Sequence, residues 1–175
     1  LATGIVRFAL RAGYAAAMQL RPATAADREA IWTVLQPVIR AGETYALDRD
    51  MSREAALAYW LANEAFVAED DGAVVGTYYL RPNQAGGGAH VCNCGYMVST
   101  AAAGRGVARA MCAHSLEHAR RRGYRAMQFN FVVGSNVRAV HLWESMGFEV
   151  IGRVPGGFEH PRLGFVDALM MYQEL

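Results

Sequence analysis

The stretch from Val91 to Phe148 constrains this chain most, because its elements follow one another at short, fixed distances. A strand is predicted over Val91–Val98, then a turn of small residues, Ser99-Thr-Ala-Ala-Ala-Gly-Arg-Gly-Val-Ala108. An amphipathic helix follows and ends in Arg120-Arg-Arg-Gly123. A second strand over Ala126–Val133 leads into Asn136-Val-Arg-Ala-Val-His-Leu-Trp-Glu-Ser-Met-Gly-Phe148. Gly104, Gly106 and Ala108 put no bulky side chain at the strand-to-helix junction. The first turn of a helix offers unpaired N–H groups and the positive end of the macrodipole. Such a terminus suits a phosphate or pyrophosphate, while glycine and alanine serve a tight turn and close packing equally well. The turn alone leaves both readings open.

The order of elements narrows the choice. A dinucleotide fold requires Gly-x-Gly-x-x-Gly with an acidic residue roughly 20 residues on, and these glycines are spaced differently and sit mid-chain. A P-loop requires a lysine after its glycines. The chain has none, since all 17 basic residues are arginine. The same absence excludes a lysine Schiff base with pyridoxal phosphate.

Ala103-Gly-Arg-Gly-Val-Ala108 resembles the Arg/Gln-x-x-Gly-x-Gly/Ala pyrophosphate loop of the GNAT superfamily of N-acetyltransferases. Asn136-x-x-Ala139-x-x-Leu142-Trp143-x-x-x-Gly147-Phe148 is similar to the downstream helix of that superfamily, and both motifs stand in the right order and separation. Two positions depart from the pattern. Ala103 replaces the usual Arg or Gln, in a loop that works mainly through backbone N–H groups. Trp143 replaces a Tyr proposed to protonate the departing thiolate, and an indole N–H donates a hydrogen bond but is no acid at neutral pH. Shorter segments, Val91-Cys-Asn-Cys-Gly-Tyr-Met-Val98, Phe129-Asn-Phe131 and Gly164-Phe-Val-Asp167, resemble a branch containing fungal N-acetyltransferases of proline analogues such as azetidine-2-carboxylate.

The rest of the chain fits one domain. A length of 175 residues with 53% apolar and 19% charged residues is ordinary globular composition. With a net charge of +1 and no basic face, nucleic-acid binding is not expected; Arg120, Arg121, Arg122 and Arg125 complement a helix C-terminus. Residues 1–17 hold two arginines and no acid, with no long apolar run for a signal or membrane span. They are read as an upstream or vector-derived segment before a domain at 18–175, and the protein is expected in the cytoplasm. Cys92, Cys94 and Cys112 are expected as free, buried small hydrophobes, and no metal site is expected.

A helix is predicted over 25–41 behind Thr24-Ala-Ala-Asp27, kinked or split at Pro37. A second opens at Ser52, and 65–69 with 74–80 form a hairpin turning at Asp70-Asp-Gly72. Val154–Leu163 reads as a Pro/Gly loop carrying a solvated His160, before a last strand at Phe165–Tyr172. His114 and His118 are expected on an exposed helix surface, and His141 on an outer face. Asn93 and Asn130 interrupt apolar strands, where a buried amide must find partners or costs about 1–3 kcal/mol.

The resemblance implies an α/β (α+β) fold: a mixed, mostly antiparallel sheet of six or seven strands with a few helices and splayed central strands. It implies acetyl transfer from acetyl-CoA to a small-molecule amine, an amino acid or proline-like analogue, by direct attack on the thioester. Met97 and Val98, on a bulged strand, would meet the pantetheine arm. Backbone N–H groups of Gly104, Arg105, Gly106, Val107 and Ala108 would hold the pyrophosphate, with Asn136 and Trp143 near the sulfur end. A strand N–H near Met97 or Val98 would stabilise the oxyanion. Asn93, Asn130 and Tyr96 would bind the acceptor, with Glu43 and Tyr45 from the loop between the first two helices, and the two amides would serve the chemistry. Homodimerisation is common among such relatives. An acyl-CoA-binding module without turnover and a peptide acetyltransferase are the alternatives.

Overall fold

A computed structural model describes residues 6–8 and 18–175. Apart from Val6–Phe8, the segment read as upstream lies outside the described residues. Among the described residues eight strands form one sheet: β1 (Val6–Phe8), β2 (Met18–Pro22), β3 (Glu64–Asp70), β4 (Ala73–Pro82), β5 (Val91–Val98), β6 (Ala126–Val133), β7 (Glu149–His160) and β8 (Gly164–Glu174). Their order is β1-β2-β3-β4-β5-β6-β8-β7. Seven of them follow Met18, as expected, and β1 adds a short edge. Every pairing is antiparallel except β5–β6.

The α-helices among the described residues are α1 (Arg28–Ala41), α2 (Arg53–Leu61), α3 (Val107–Arg121) and α4 (Val137–Ser145). Strand alternation divides the core in two. Phe66, Tyr78, Leu80, Cys92 and Cys94 point toward α3 and α4 with Met111, Leu116 and Trp143. Val67, Tyr79 and Met97 point the other way, onto α1 and α2 with Ile31, Leu35, Leu57 and Trp60. Trp60 is pinned there by its indole N–H, which donates to Thr77 Oγ1 at 2.9 Å. Gly76 lets α3 lie close to the sheet, since a Cβ there would stand 2.9 Å from a Val107 methyl.

Three local expectations change. Pro37 lies inside a continuous α1; it is exposed, so the carbonyl it leaves unpaired faces water. The predicted loop at 154–163 is mostly strand. β7 runs to His160 through a register shift between Val154 and Phe158, where Gly156 takes φ 58°. Pro155 is tolerated because β7 is the sheet's outer edge and needs no ladder bond on that side. His160, expected to be solvated, is 7% exposed.

Candidate active site

Strands β5 and β6 run parallel and pair only at Val91–Ala126 and Cys92–Met127. Beyond that vertex they part. The Asn93 side chain sits at the first unpaired position, where its Nδ2 donates to the Gln128 carbonyl at 2.9 Å. A side-chain amide thus takes over where the backbone ladder stops. Asn93 is buried and pairs with nearby backbone, and its Oδ1 stands 3.5 Å from the Tyr79 hydroxyl.

The phase of β5 decides which backbone groups face the gap. Asn83 N–H donates to the Val91 carbonyl and Ser99 N–H to the Val75 carbonyl, so both ends of β5 turn odd-numbered groups toward β4. The β4–β5 register has no shift between them. With a two-residue period, Cys94, Tyr96 and Val98 turn their N–H and C=O groups into the gap. Val98 therefore turns its backbone into the gap, from a regular rather than a bulged strand. Met97 does not: its backbone faces Thr77, and its side chain is buried against α1 and α2.

At the far end of β5 the small-residue turn delivers the chain into α3. Gly104 and Gly106 take φ 77° and 85°, a region open to glycine and costly for other residues. Gly106 is the N-cap of α3, and the N–H groups of the first turn lack intrahelical acceptors. One of the five expected donors is engaged, since Arg105 N–H donates to the Ala102 carbonyl at 3.2 Å. The Arg105 guanidinium is tied to Asp70. Val107 is buried, Ala108 half-buried and Gly104 exposed, so the open donors cluster at Gly104, Gly106 and Ala108.

The other expected residues fall into two groups on opposite faces. On the α3 and α4 face, Trp143 is 8% exposed, its ring 5.0 Å from Tyr96 and 5.2 Å from Phe129 between centroids. Tyr96 reaches back to Ser115 Oγ at 2.7 Å, and burial pushes its phenol well above the ordinary value. Asn136 caps α4, its Oδ1 accepting from Ala139 N–H at 3.3 Å. On the α1 and α2 face lie Asn93, Asn130 and the loop between the helices. Tyr45 from that loop donates its hydroxyl to the Tyr96 carbonyl at 2.8 Å, a group turned into the gap. Glu43 pairs with Arg162 at 2.7 Å, linking the loop to the β7–β8 turn. A cleft of about 450 Å³ opens beside this bridge, lined by Gly42, Arg49, Glu159, His160, Pro161 and Arg162.

Two expectations fail here, each for its own reason. Asn130 is exposed rather than buried, because β6 has left its neighbour by that point. It accepts from Gln128 Nε2 at 2.9 Å and donates to Asn83 Oδ1 at 2.6 Å, reaching across β5 to the end of β4. Tyr96 is not grouped with the two amides, since positions 93 and 96 differ by an odd number and point to opposite faces.

The histidines on α3 also differ from expectation. His114 is 3% exposed, with Nδ1 2.6 Å from the Tyr78 hydroxyl. Burial holds its pKa down at about 4, helped by His118 and Arg121. His118 meets Glu64 at 2.8 Å, while His141 is exposed as expected. Cys92 and Cys112 are buried thiols pushed up to about 12 by desolvation. Among the described residues, no group of three or more His, Cys, Asp or Glu is placed to hold a metal ion, and no helix is long and apolar enough to cross a membrane.

The sequence model of one family matches residues 31–148, a span that includes the splayed strands and the glycine-capped helix. The chain belongs to the acetyltransferase (GNAT) family. Membership makes it an N-acetyltransferase with acetyl-CoA as donor. It is 44% identical to a GCN5-related N-acetyltransferase from Kribbella flavida of known structure, covering 90% of this chain and 98% of that one at a TM-score of 0.87. It is 28% identical over 149 residues to N-acetyltransferase aca1 of Schizosaccharomyces pombe, covering 74% of this chain and 71% of that one. A phosphinothricin acetyltransferase from Sinorhizobium meliloti, solved with acetyl-CoA, shares the fold at 23% identity and a TM-score of 0.79, with 90% and 88% of the chains covered.

Sequence reasoning missed Tyr59, Tyr79 and Arg81. Arg81 Cζ lies 5.7 Å and 5.2 Å from the two ring centroids. β4 continues through Arg81 to Pro82. The signal was alternation, since 77, 79 and 81 share a face.

Proposed function

We propose that this enzyme acetylates a small-molecule amine, an amino acid or a proline-like analogue, with the donor and acceptor meeting from opposite faces of the β5–β6 gap. The observation that carries the reading is the vertex, where Asn93 and Asn130 lie on the α1 and α2 face while the glycine-capped end of α3 lies beyond the other. Backbone N–H groups of Gly104, Gly106 and Ala108 hold the pyrophosphate, and the helix dipole adds to their pull. Even-numbered groups of β5 pair with the pantetheine arm. Asn136, with Oδ1 engaged in the cap, offers Nδ2 to the coenzyme. Trp143 walls that side together with Tyr96.

The acceptor enters beneath the loop carrying Glu43 and Tyr45 and reaches the amides of Asn93 and Asn130. Its neutral amine attacks the thioester carbonyl, and the Val98 N–H stabilises the developing oxyanion. Collapse of that centre breaks the C–S bond and expels the thiolate, while water takes the amine's proton. Orientation supplies much of the acceleration. The thiolate's proton comes from solvent, since the Trp143 indole is no acid. Three free thiols suit a reducing compartment, and the reading places the enzyme in the cytoplasm. Exposed Val150, Ile151 and Val154 on the β7 edge support pairing of two copies; sedimentation should then give twice the monomer mass.

Free-thiol release from acetyl-CoA across a panel of amines tests the reading. The panel should hold azetidine-2-carboxylate, proline analogues, primary amino acids, polyamines and short peptides. Release with cyclic imino acids supports it; release confined to peptides overturns the small-molecule acceptor.

A further inference from the structure

Resting on that reading of the acceptor side, we infer that Arg81 is the charge anchor for a carboxylate on the acceptor, so that the substrate is an amino or imino acid rather than a simple amine. The inference starts from an arginine without an opposite charge. Among the described residues no carboxylate stands within ion-pair distance of Arg81. Its guanidinium is held instead against the faces of Tyr59 and Tyr79, at 5.7 Å and 5.2 Å. Cation–π contact fixes the plane of the group without neutralising it. A fork held in this way loses little freedom on meeting an anion, and a carboxylate matches it with two parallel hydrogen bonds.

Position makes the anchor specific to the reaction. Arg81 is the cross-strand partner of Asn93, and Asn93 marks the first unpaired position of the β5–β6 gap. Tyr79, Arg81 and Asn93 share the α1 and α2 face, and the Tyr79 hydroxyl stands 3.5 Å from Asn93 Oδ1. The amide chain Gln128–Asn130–Asn83 runs over the same face, from β6 back to the end of β4. Arg81 itself is half-buried, so it is reachable yet partly screened from bulk water. A carboxylate on the guanidinium places a nitrogen one carbon away toward the vertex, where the acetyl group must be presented. An α-imino or α-amino acid has that geometry. A polyamine offers no anion to the fork and adds a repelling cation.

The test compares each acid with its own primary amide, azetidine-2-carboxylate with azetidine-2-carboxamide and proline with prolinamide, by thiol release from acetyl-CoA. Wild type should prefer the acid, and Arg81→Gln should lower the acid-to-amide ratio of kcat/KM by about thirtyfold or more, the worth of a charge-assisted pair. The loss should appear in KM, with kcat for the acid retained, and Arg81→Lys should restore part of it. Unchanged acetyl-CoA affinity confirms that each variant is folded. An unchanged ratio in Arg81→Gln, or wild type showing no preference for the acid, overturns the anchor and leaves acetyl transfer standing. Ligand-observed NMR separates the two proposals. Arg81-dependent binding of azetidine-2-carboxylate without thiol release keeps the anchor and removes that acid as an acetyl acceptor. Equal binding by wild type and Arg81→Gln overturns the anchor without reference to turnover.

Discussion

The two faces of the sheet are built from different materials. On the proposed reading, the α3 and α4 face presents backbone to the coenzyme: a glycine-capped helix end and the even-numbered amides of β5. The α1 and α2 face presents side chains drawn from five places in the chain: the α1–α2 loop, α2, β4, β5 and β6. Backbone donors bind any pyrophosphate in the same way, which suits a shared coenzyme. Side chains crossing between elements can be exchanged one at a time, which suits a varying acceptor. The difference predicts that damage to one face should leave the binding done by the other largely intact.

The largest expected effect concerns the α3 face. His114 is neutral in the fold, with a pKa near 4 against 6.5 in the unfolded chain. Below pH 6.5 the unfolded chain takes up a proton that the folded one refuses, so stability falls until pH reaches about 4. The full loss is on the order of 3 kcal/mol. Urea titrations at pH 7 and pH 4.5 should show it in wild type, and His114→Asn should remove most of the difference. Asp27 acts in a lower window. The Arg21 guanidinium, bonded to it at 2.7 Å, holds its carboxyl well below 3.8, so its contribution is present above that pH and lost as pH falls below it.

On the opposite face, Gly95→Ala should cost about 1–3 kcal/mol by overpacking, because the new Cβ would lie 2.7 Å from the Tyr79 ring. Thermal unfolding checks the cost, and the variant's KM for acceptor should rise more than its Kd for acetyl-CoA. Gly106→Val reverses the pattern. A β-branched residue at φ 85° costs about 1–2 kcal/mol, so the free N-cap relaxes out of that conformation and must recover it on binding, giving roughly tenfold weaker acetyl-CoA binding by calorimetry. Asn136→Ala should remove about 1 kcal/mol of stability through the lost cap. Glu43→Gln should change stability by less than about 0.5 kcal/mol, because its Arg162 partner is exposed.

The same division separates what the sequence disclosed from what it did not. Val91–Val98 and Ala126–Val133 match β5 and β6 at both ends, and the glycines at 104 and 106 do take positive φ. Those features are local, written in alternation and in residues with special backbone freedom. The acceptor face depends on contacts between residues 14 to 51 positions apart, such as Tyr79–Asn93, Asn83–Asn130 and Tyr45–Tyr96. No local pattern encodes these. His114 was legible in principle, because Val107, Met111, His114 and His118 follow the helical spacing of a buried stripe. Treating histidine as polar hid it. The exposure of Asn130 follows from the parting of β5 and β6, which depends on how far two distant strands stay paired.

The most direct test of the two-face account measures acetyl-CoA binding and turnover together in Asn130→Ala. Calorimetry should give a Kd within about twofold of wild type, while kcat/KM for the best acceptor falls about thirtyfold or more, the loss expected when charge-assisted acceptor contacts go. A parallel loss of both would mean that the two ligands share one set of groups, and unchanged turnover would remove Asn130 from the acceptor site.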